Sequence, residues 1–218
     1  MRVDVKNYHS LVFDCDGVVL DSNRIKTQAF YDAALIYGQD AAQTLKDYHV
    51  KNGGISRYKK FEYFLSEILG GQVNPDDLNQ LLQRFASEVK KGLLGSKVAS
   101  RLDELRDYTQ HANWLIVSGG DQTELREAFV QKGLDSFFDG GIFGSPDTKE
   151  LILERELGQS NIEKPALFLG DSKYDYEAAR QAGLDFVFIS GWTEVVDWEA
   201  WCQSNQIPHY SSLQTLIS

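Results

Sequence analysis

Apolar residues in this chain gather in short runs separated by longer stretches of helical spacing. The runs at 10–14 (SLVFD), 113–118 (NWLIVS), 140–144 (GGIFG), 166–170 (ALFLG) and 185–190 (DFVFIS) are rich in branched and aromatic residues and bounded by Gly, Asp or Ser. Buried strands have this character, so five are expected. Helical patterns lie between them. Asp121-Gln122-Thr123-Glu124 has the form of a capping box, and the helix it opens ends near Gly133. Thr148–Leu157 is amphipathic and stops at Gly158; Tyr174–Ala182 stops at Gly183. Trp192, Trp198 and Trp201 are expected on one packed amphipathic helix. Strands alternating with helices predict an α/β fold, a parallel sheet with helices on both faces.

Residues 22–95 break the alternation. Phe61, Phe64, Leu65 and Ile68 share one helical face, and Leu78, Leu81, Leu82 and Phe85 another. A helical cap is therefore expected at 22–95, inserted after the first strand of an α/β core made of 1–21 and 96–218. Gly92-Leu93-Leu94-Gly95 returns the chain to that core, with two glycines able to act as a hinge. Charge divides along the same lines. Residues 22–95 carry ten Lys or Arg against eight Asp or Glu; the remainder carries twelve against twenty-four. The less acidic insert suits the gripping of an anion.

A net charge of −10 over 218 residues argues against a nucleic-acid partner. No apolar stretch reaches membrane-spanning length, and MRVDVKNYHS lacks an apolar signal region, so a cytoplasmic protein without a membrane partner is expected. Cys15 and Cys202 do not make a disulfide framework and read as apolar filler.

Ligands of open parallel sheets bind beyond the carboxyl ends of the strands. The expected strands end in Asp14 and Asp16, in Ser118-Gly119-Gly120, and in Gly170-Asp171-Ser172, with Asp175 four residues on; Lys149 opens the helix after the third. If these strands are neighbours, the groups converge on one crevice. Two carboxylates about 4 Å apart repel by about 4 kcal/mol at an effective dielectric of about 20, so a cation must join them or their pKa values must rise. An all-oxygen ligand set selects Mg²⁺ over Zn²⁺. A metal, a lysine, a hydroxyl and glycine N–H groups suit a phosphoryl group. In that setting Asp14 can attack phosphorus, and Asp16 can act as acid and then base.

FDCDGVVLDS at 13–22 resembles motif I of the haloacid-dehalogenase superfamily. LIVSGG resembles its motif II, Lys149 its motif III lysine and GDSKYD its motif IV. The resemblance implies a Rossmann-like core with a helical cap of the kind found in phosphoglycolate phosphatases and β-phosphoglucomutases. It implies Asp14 as nucleophile and Asp16 as general acid/base. It places Mg²⁺ on the Asp14 carboxylate, the Asp16 backbone carbonyl and Asp171, with Asp175 behind them. It places the phosphoryl group on Ser118, Gly119 and Lys149. Gly144-Ser145-Pro146-Asp147-Thr148-Lys149 departs from the usual Lys-Pro order of motif III.

In the cap, Gly54-Ile55-Ser56-Arg57 resembles a mutase segment whose arginine holds a distal phosphate. That resemblance implies Arg57, helped by Lys59 or Lys60, as the grip on a distal anion. Lys26 stands where the mutases carry histidine, which favours simple hydrolysis; it is expected to hang over the crevice and meet a carboxylate or phosphate. The sequence thus points to a Mg²⁺-dependent phosphatase acting on a small phosphorylated metabolite, such as a sugar phosphate, through an aspartyl phosphate. A phosphomutase is the alternative, and a phosphoacceptor signalling domain a third reading. The last fits less well, because receivers lack an acid at the position of Asp16 and have no cap.

Overall fold

Val12, Leu115 and Phe168 lie in register on neighbouring strands and belong to one buried cluster, while Phe13, Ile116 and Leu169, also in register, belong to another. Every second residue thus goes to the opposite face, and both faces are covered, which is why the strands read as continuous apolar runs. The computed structural model describes residues 3–217, the side chain of Lys91 apart. Met1, Arg2 and Ser218, which fall inside the limits expected for the core, lie outside the described residues.

Among the described residues, six parallel strands form one sheet: β1 (Ser10–Phe13), β2 (Asn113–Asp121), β3 (Gly141–Ser145), β4 (Ala166–Gly170), β5 (Asp185–Ile189) and β6 (His209–Tyr210). Their spatial order is β3-β2-β1-β4-β5-β6. The chain winds outward from β1 through β2 to β3, then returns to the other side of β1 and winds through β4 and β5 to β6. The direction reverses between β1 and β4, and a ligand crevice is expected outside the strand ends at such a reversal.

Between β1 and β2 lie α1 (Asn23–Ala34), α2 (Gln39–Lys51), α3 (Arg57–Tyr63), α4 (Pro75–Gly95) and α5 (Leu102–Tyr108). After α3 one wide π turn spans Phe64–Ile68. Phe30 of α1, Phe61 of α3 and Phe85 of α4 pack ring against ring, with centroids 4.3–5.7 Å apart. Each buried ring contributes about 1.5–3 kcal/mol by leaving water. This apolar cluster is continuous with one face of the sheet. The glycine pair expected as a hinge lies within α4, which runs helical to Gly95, and a Cβ at Gly92 would lie 2.1 Å from Ile25 Cγ2. Close packing on α1, rather than looseness, explains that glycine.

The remaining helices are α6 (Gln122–Lys132), α7 (Lys149–Gly158), α8 (Lys173–Ala182) and α9 (Trp198–Ser204). Asp121 caps α6 by accepting from the Thr123 and Glu124 N–H groups, and Gly133 ends it at φ +66°. Trp198 and Trp201 lie on α9 and pack on Phe188, but Trp192 sits in the preceding loop, outside the expected helix. No helix among the described residues is long and apolar enough to cross a membrane.

Candidate active site

The crevice at the β1/β4 reversal is built from the two residues the chain reaches on leaving those strands. The Asp14 N–H continues the ladder by donating to Leu169 O at 2.9 Å, which fixes Asp14 at the end of β1 beside the end of β4. Asp171 follows β4 directly. Beyond Asp14 the chain turns sharply, with Gly17 at φ +77°. A Cβ there would lie 2.1 Å from Asp171 Oδ2 and 2.4 Å from Asn23 Nδ2, so only glycine lets this turn pass beneath the carboxylate. Asp171 is held by Asn23 Nδ2, which donates to its Oδ2 at 2.7 Å, and by Thr193 Oγ1, which donates to its backbone oxygen at 2.6 Å. Gly17→Ala is expected to weaken divalent-ion binding by about tenfold or more, the scale on which lost support of a ligand is felt. Calorimetric titration of the metal-free protein measures this.

Carboxylate oxygens of Asp14, Asp171 and Asp175 lie within 4.8 Å of one another, all three residues buried. Lys149, the first residue of α7, extends beneath them. Its ammonium is 2.9 Å from Asp14 Oδ1 and bonded to Asp175 Oδ1. Burial works against charge on Lys149, but Asp14 and Asp175 outweigh it and hold the amine above its ordinary value. Burial, reinforced by Asp175 and Asp16 and opposed by Lys149, pushes Asp14 up to about 7. Burial, with Asp14 and Asp175, likewise pushes Asp171 well above the carboxylate range. One lysine is too little positive charge for three acids.

This crowding suits a divalent ion. The donors are hard oxygens, and the Asp14 Oδ1 atom is buried without an aligned hydrogen bond, Lys149 serving it as a charge neighbour only. Asp175 differs from the other two. Its Oδ2 accepts from the Asp171 and Ser172 N–H groups and from Ser172 Oγ, completing the N-terminal capping box of α8, while Oδ1 takes Lys149. A carboxylate so fully engaged is suited to holding the others rather than to binding an ion itself.

Asp16 points elsewhere. Its Oδ2 takes Lys26 Nζ at 2.5 Å and its Oδ1 takes Ser22 Oγ at 2.5 Å. Burial pushes Asp16 up, but Lys26 and Ser22 prevail and hold it below its ordinary value. Asp14, Asp16 and Asp171 nevertheless line one cavity, together with Lys26, Gly119 and Gly120.

The motif II segment differs from the expected strand end. β2 runs on to Asp121, and its register against β3 shifts between Val117 and Asp121. The bulge turns Gly119 and Gly120 to the cavity wall and leaves Ser118 fully buried, its Oγ accepting from Gly120 N at 3.0 Å. A Cβ on Gly119 would lie 2.1 Å from Gly54 O, so the inserted segment closes directly on this wall.

Arg57 lines the same cavity but is engaged. Its Nη1 and Nη2 donate to Glu124 Oε1 and Oε2 at 2.8 and 2.6 Å, and the guanidinium lies 4.6 Å from the centre of the Phe85 ring. The place implied for a distal anion is taken by a carboxylate of α6. Lys59 is exposed and pairs with Glu62. Lys60 is buried on the cavity wall, its Nζ 2.7 Å from His49 Nδ1. Asn23, His49, Thr193 and Glu194 also reach the site, and none stands out in the sequence. Asn23 follows the Asp21-Ser22 that ends motif I, which is the one signal available; His49 and Glu194 sit in segments whose placement depends on the tertiary fold.

Comparison with known proteins bears on this geometry. A search of curated proteins finds no match. Among solved structures, the chain is similar to a predicted phosphatase from Clostridium acetobutylicum (17% identity, TM-score 0.74, 96% of each chain covered). It is similar to a hydrolase from Pseudomonas syringae (17% identity, TM-score 0.71, 96% of each chain). It is also similar to a predicted phosphoglycolate phosphatase from Haemophilus somnus (17% identity, TM-score 0.65, 85% of this chain and 86% of that one). At these identities the likeness establishes the shared fold. The family model for haloacid dehalogenase-like hydrolases matches residues 11–189, from β1 through β5, and therefore covers both aspartates of motif I, the inserted helices, Lys149 and Asp171. The chain belongs to the haloacid dehalogenase-like hydrolases.

Proposed function

We propose that the protein is a Mg²⁺-dependent phosphomonoesterase acting on a small phosphorylated metabolite through an aspartyl phosphate, with residues 22–95 as its cap. The observation that supports this best is the buried carboxylate cluster of Asp14, Asp171 and Asp175 over Lys149, with Asp16 held apart by Lys26. The names of the similar phosphatases agree with it.

In this reading Asp14, Asp171 and the Asp16 backbone carbonyl hold the Mg²⁺, which when bound supplies positive charge to the carboxylates and to a substrate phosphate oxygen. An Asp14 oxygen attacks phosphorus, and the bond from phosphorus to the leaving oxygen breaks. Asp16 gives a proton to that oxygen. Water then attacks the same phosphorus, Asp16 takes the water's proton, and Asp14 is released with inorganic phosphate. Lys149 neutralises charge beneath Asp14, and the wall at Ser118-Gly119-Gly120 receives the phosphoryl oxygens. The pair Lys26–Asp16 keeps Asp16 ionised at rest, the form needed for the second half. An anionic substrate competes for Lys26 and brings negative charge beside Asp16, and both raise its proton affinity for the first half.

The purified protein is expected to release phosphate from p-nitrophenyl phosphate with steady turnover in Mg²⁺, to stop in EDTA, and to recover when Mg²⁺ is restored. Steady release separates this reading from a receiver, which stays phosphorylated, and from a mutase, which needs a bisphosphate primer. Turnover unaffected by EDTA would remove the metal from the account.

A further inference from the structure

The inserted helices join the core through a neck of two paired segments. Leu20 and Val98 form an antiparallel bridge, while the Asp21 N–H donates to Lys97 O and the Ala99 N–H to Val19 O, each at 2.9 Å. Asn23, the first residue of α1, follows directly on this neck. It therefore lies on the inserted side, and a rotation of the inserted helices about the neck carries it along.

The side-chain amide of Asn23 nevertheless bonds to the core. Its Nδ2 donates to Asp171 Oδ2 at 2.7 Å and to Trp192 O, in the loop after β5, at 2.9 Å. A carboxylate and a carbonyl can only accept, which fixes the orientation of the amide. The next residue of that loop, Thr193, donates from Oγ1 to Asp171 O at 2.6 Å, and Glu194 after it accepts from Thr27 Oγ1 at 2.6 Å. Thr27 stands four residues after Asn23, on the same face of α1. Helix α1, Asp171 and the loop thus close one ring of hydrogen bonds. The start of α1 gives up local stability to face the site. Ser22 holds the N-cap position without a side-chain capping bond, because its hydroxyl goes to Asp16. A local rule broken in this way marks a functional position.

We propose that Asn23 is a positioning residue that couples the seating of the inserted helices to the divalent-ion site. With the helices seated, Asn23 holds one oxygen of Asp171 and fixes the rotation of that carboxylate. When the helices turn away about the neck, Asp171 loses this bond and grips the ion less well. By linkage, an ion held by Asp14 and Asp171 favours the seated form by the same factor. Thr27 and Glu194 reinforce the coupling, because they tie α1 to the loop that carries Thr193. The inference rests on the Mg²⁺ site of the phosphatase reading and is independent of turnover.

The test uses Mg²⁺ alone and metal-free protein. In calorimetric titration Asn23→Ala is expected to bind Mg²⁺ about tenfold or more weakly than wild type, the scale of a lost support of a metal ligand. Thr27→Val, whose side chain meets Glu194 and not Asp171, is expected to weaken binding by about threefold or more. The second readout is reductive methylation with formaldehyde and a borane, followed by mass spectrometry as the ratio of Lys60 to Lys59 labelling. Lys60 is buried on the cavity wall and Lys59 is exposed, so the ratio reports how often the inserted helices lift. Saturating Mg²⁺ is expected to lower the ratio about fivefold or more in wild type and to leave it nearly unchanged in Asn23→Ala. A direct effect of the ion's charge on Lys60 would survive in the variant, because both sites are full. Wild-type Mg²⁺ affinity in Asn23→Ala overturns the proposal. So does a ratio that falls equally in both proteins, since Asn23 would then support Asp171 without any link to the inserted helices. If Asn23→Ala does not fold, Thr27→Val carries both measurements under the same criteria. If the wild-type protein binds no Mg²⁺, the metal part of the phosphatase reading fails and the inference falls with it, whereas failure of the inference alone leaves wild-type binding intact.

Discussion

Asp14→Asn is expected to lose phosphate release by at least about 10³-fold and, in EDTA at pH 8, to melt above the wild-type protein. The first effect follows from chemistry. An amide oxygen is a poor nucleophile, and loss of an essential nucleophile costs several orders of magnitude in kcat. The second follows from burial. Asp14 is 4% exposed and its carboxyl is pushed from 3.8 to about 7. A carboxyl with a raised folded-state pKa gives stability that is complete below about pH 4 and is lost as pH rises through 7. At pH 8 the wild-type chain carries the whole cost of the charge, and the amide carries none. The displacement corresponds to about 4 kcal/mol. That displacement already contains the attraction of Lys149; the repulsion is shared with Asp171, whose own proton uptake relieves part of it, so about 1–2 kcal/mol is the expected net gain. That is about 2–8 °C in Tm. The gap should close below pH 4, where Asp14 is neutral in both states. It should also close at pH 8 on adding Mg²⁺, which stabilises only the wild-type site. Thermal melts across pH with and without EDTA give all these values; a variant that melts lower than wild type at pH 8 contradicts the crowding argument.

The same carboxylates show how far the sequence reaches. The sheet was legible because strands buried on both faces must be continuously apolar, and the five runs at Leu11, Trp114, Ile142, Leu167 and Phe186 are. β6 was not, since His209–Tyr210 is two residues long and completes its pairing through neighbours rather than composition. The convergence of Asp14, Lys149 and Asp171 was legible because strand ends in a parallel sheet share one edge. The direction of each side chain was not. Ser118 lies behind a bulge that no spacing announces, and Asp16 faces Lys26 because Ser22 and α1 bring them together. Arg57 shows the difference most clearly. Its sequence context suggests a free cation, but Glu124 is 67 residues away, and only the fold brings that carboxylate to it. Lys60 shows the converse, a lysine among many whose burial against His49 is visible only once its neighbours are placed.

Lys149→Met tests the cluster from the other side. Lys149, Asp14 and Asp175 are 1%, 4% and 0% exposed, so no water screens the group. Removing the cation from a buried ionic cluster leaves uncompensated charge and typically costs about 3–5 kcal/mol. In EDTA at pH 8 the variant is expected to melt about 6–20 °C below wild type and to show no phosphatase activity. Adding Mg²⁺ should recover part of the loss, because a divalent ion restores positive charge to Asp14 and Asp171. A second change separates charge from packing. Asp175→Asn removes a negative charge while its side-chain oxygen still accepts from the Asp171 and Ser172 N–H groups, so the cap of α8 survives. The double variant Lys149→Met/Asp175→Asn should therefore recover at least about half the stability lost by Lys149→Met alone, without recovering activity. If the double variant is instead no more stable than Lys149→Met, the methionine acts by misfit. The lysine's part in balancing three acids would then have to be abandoned, because the second substitution removes a negative charge while keeping the side chain's size and the oxygen that caps α8.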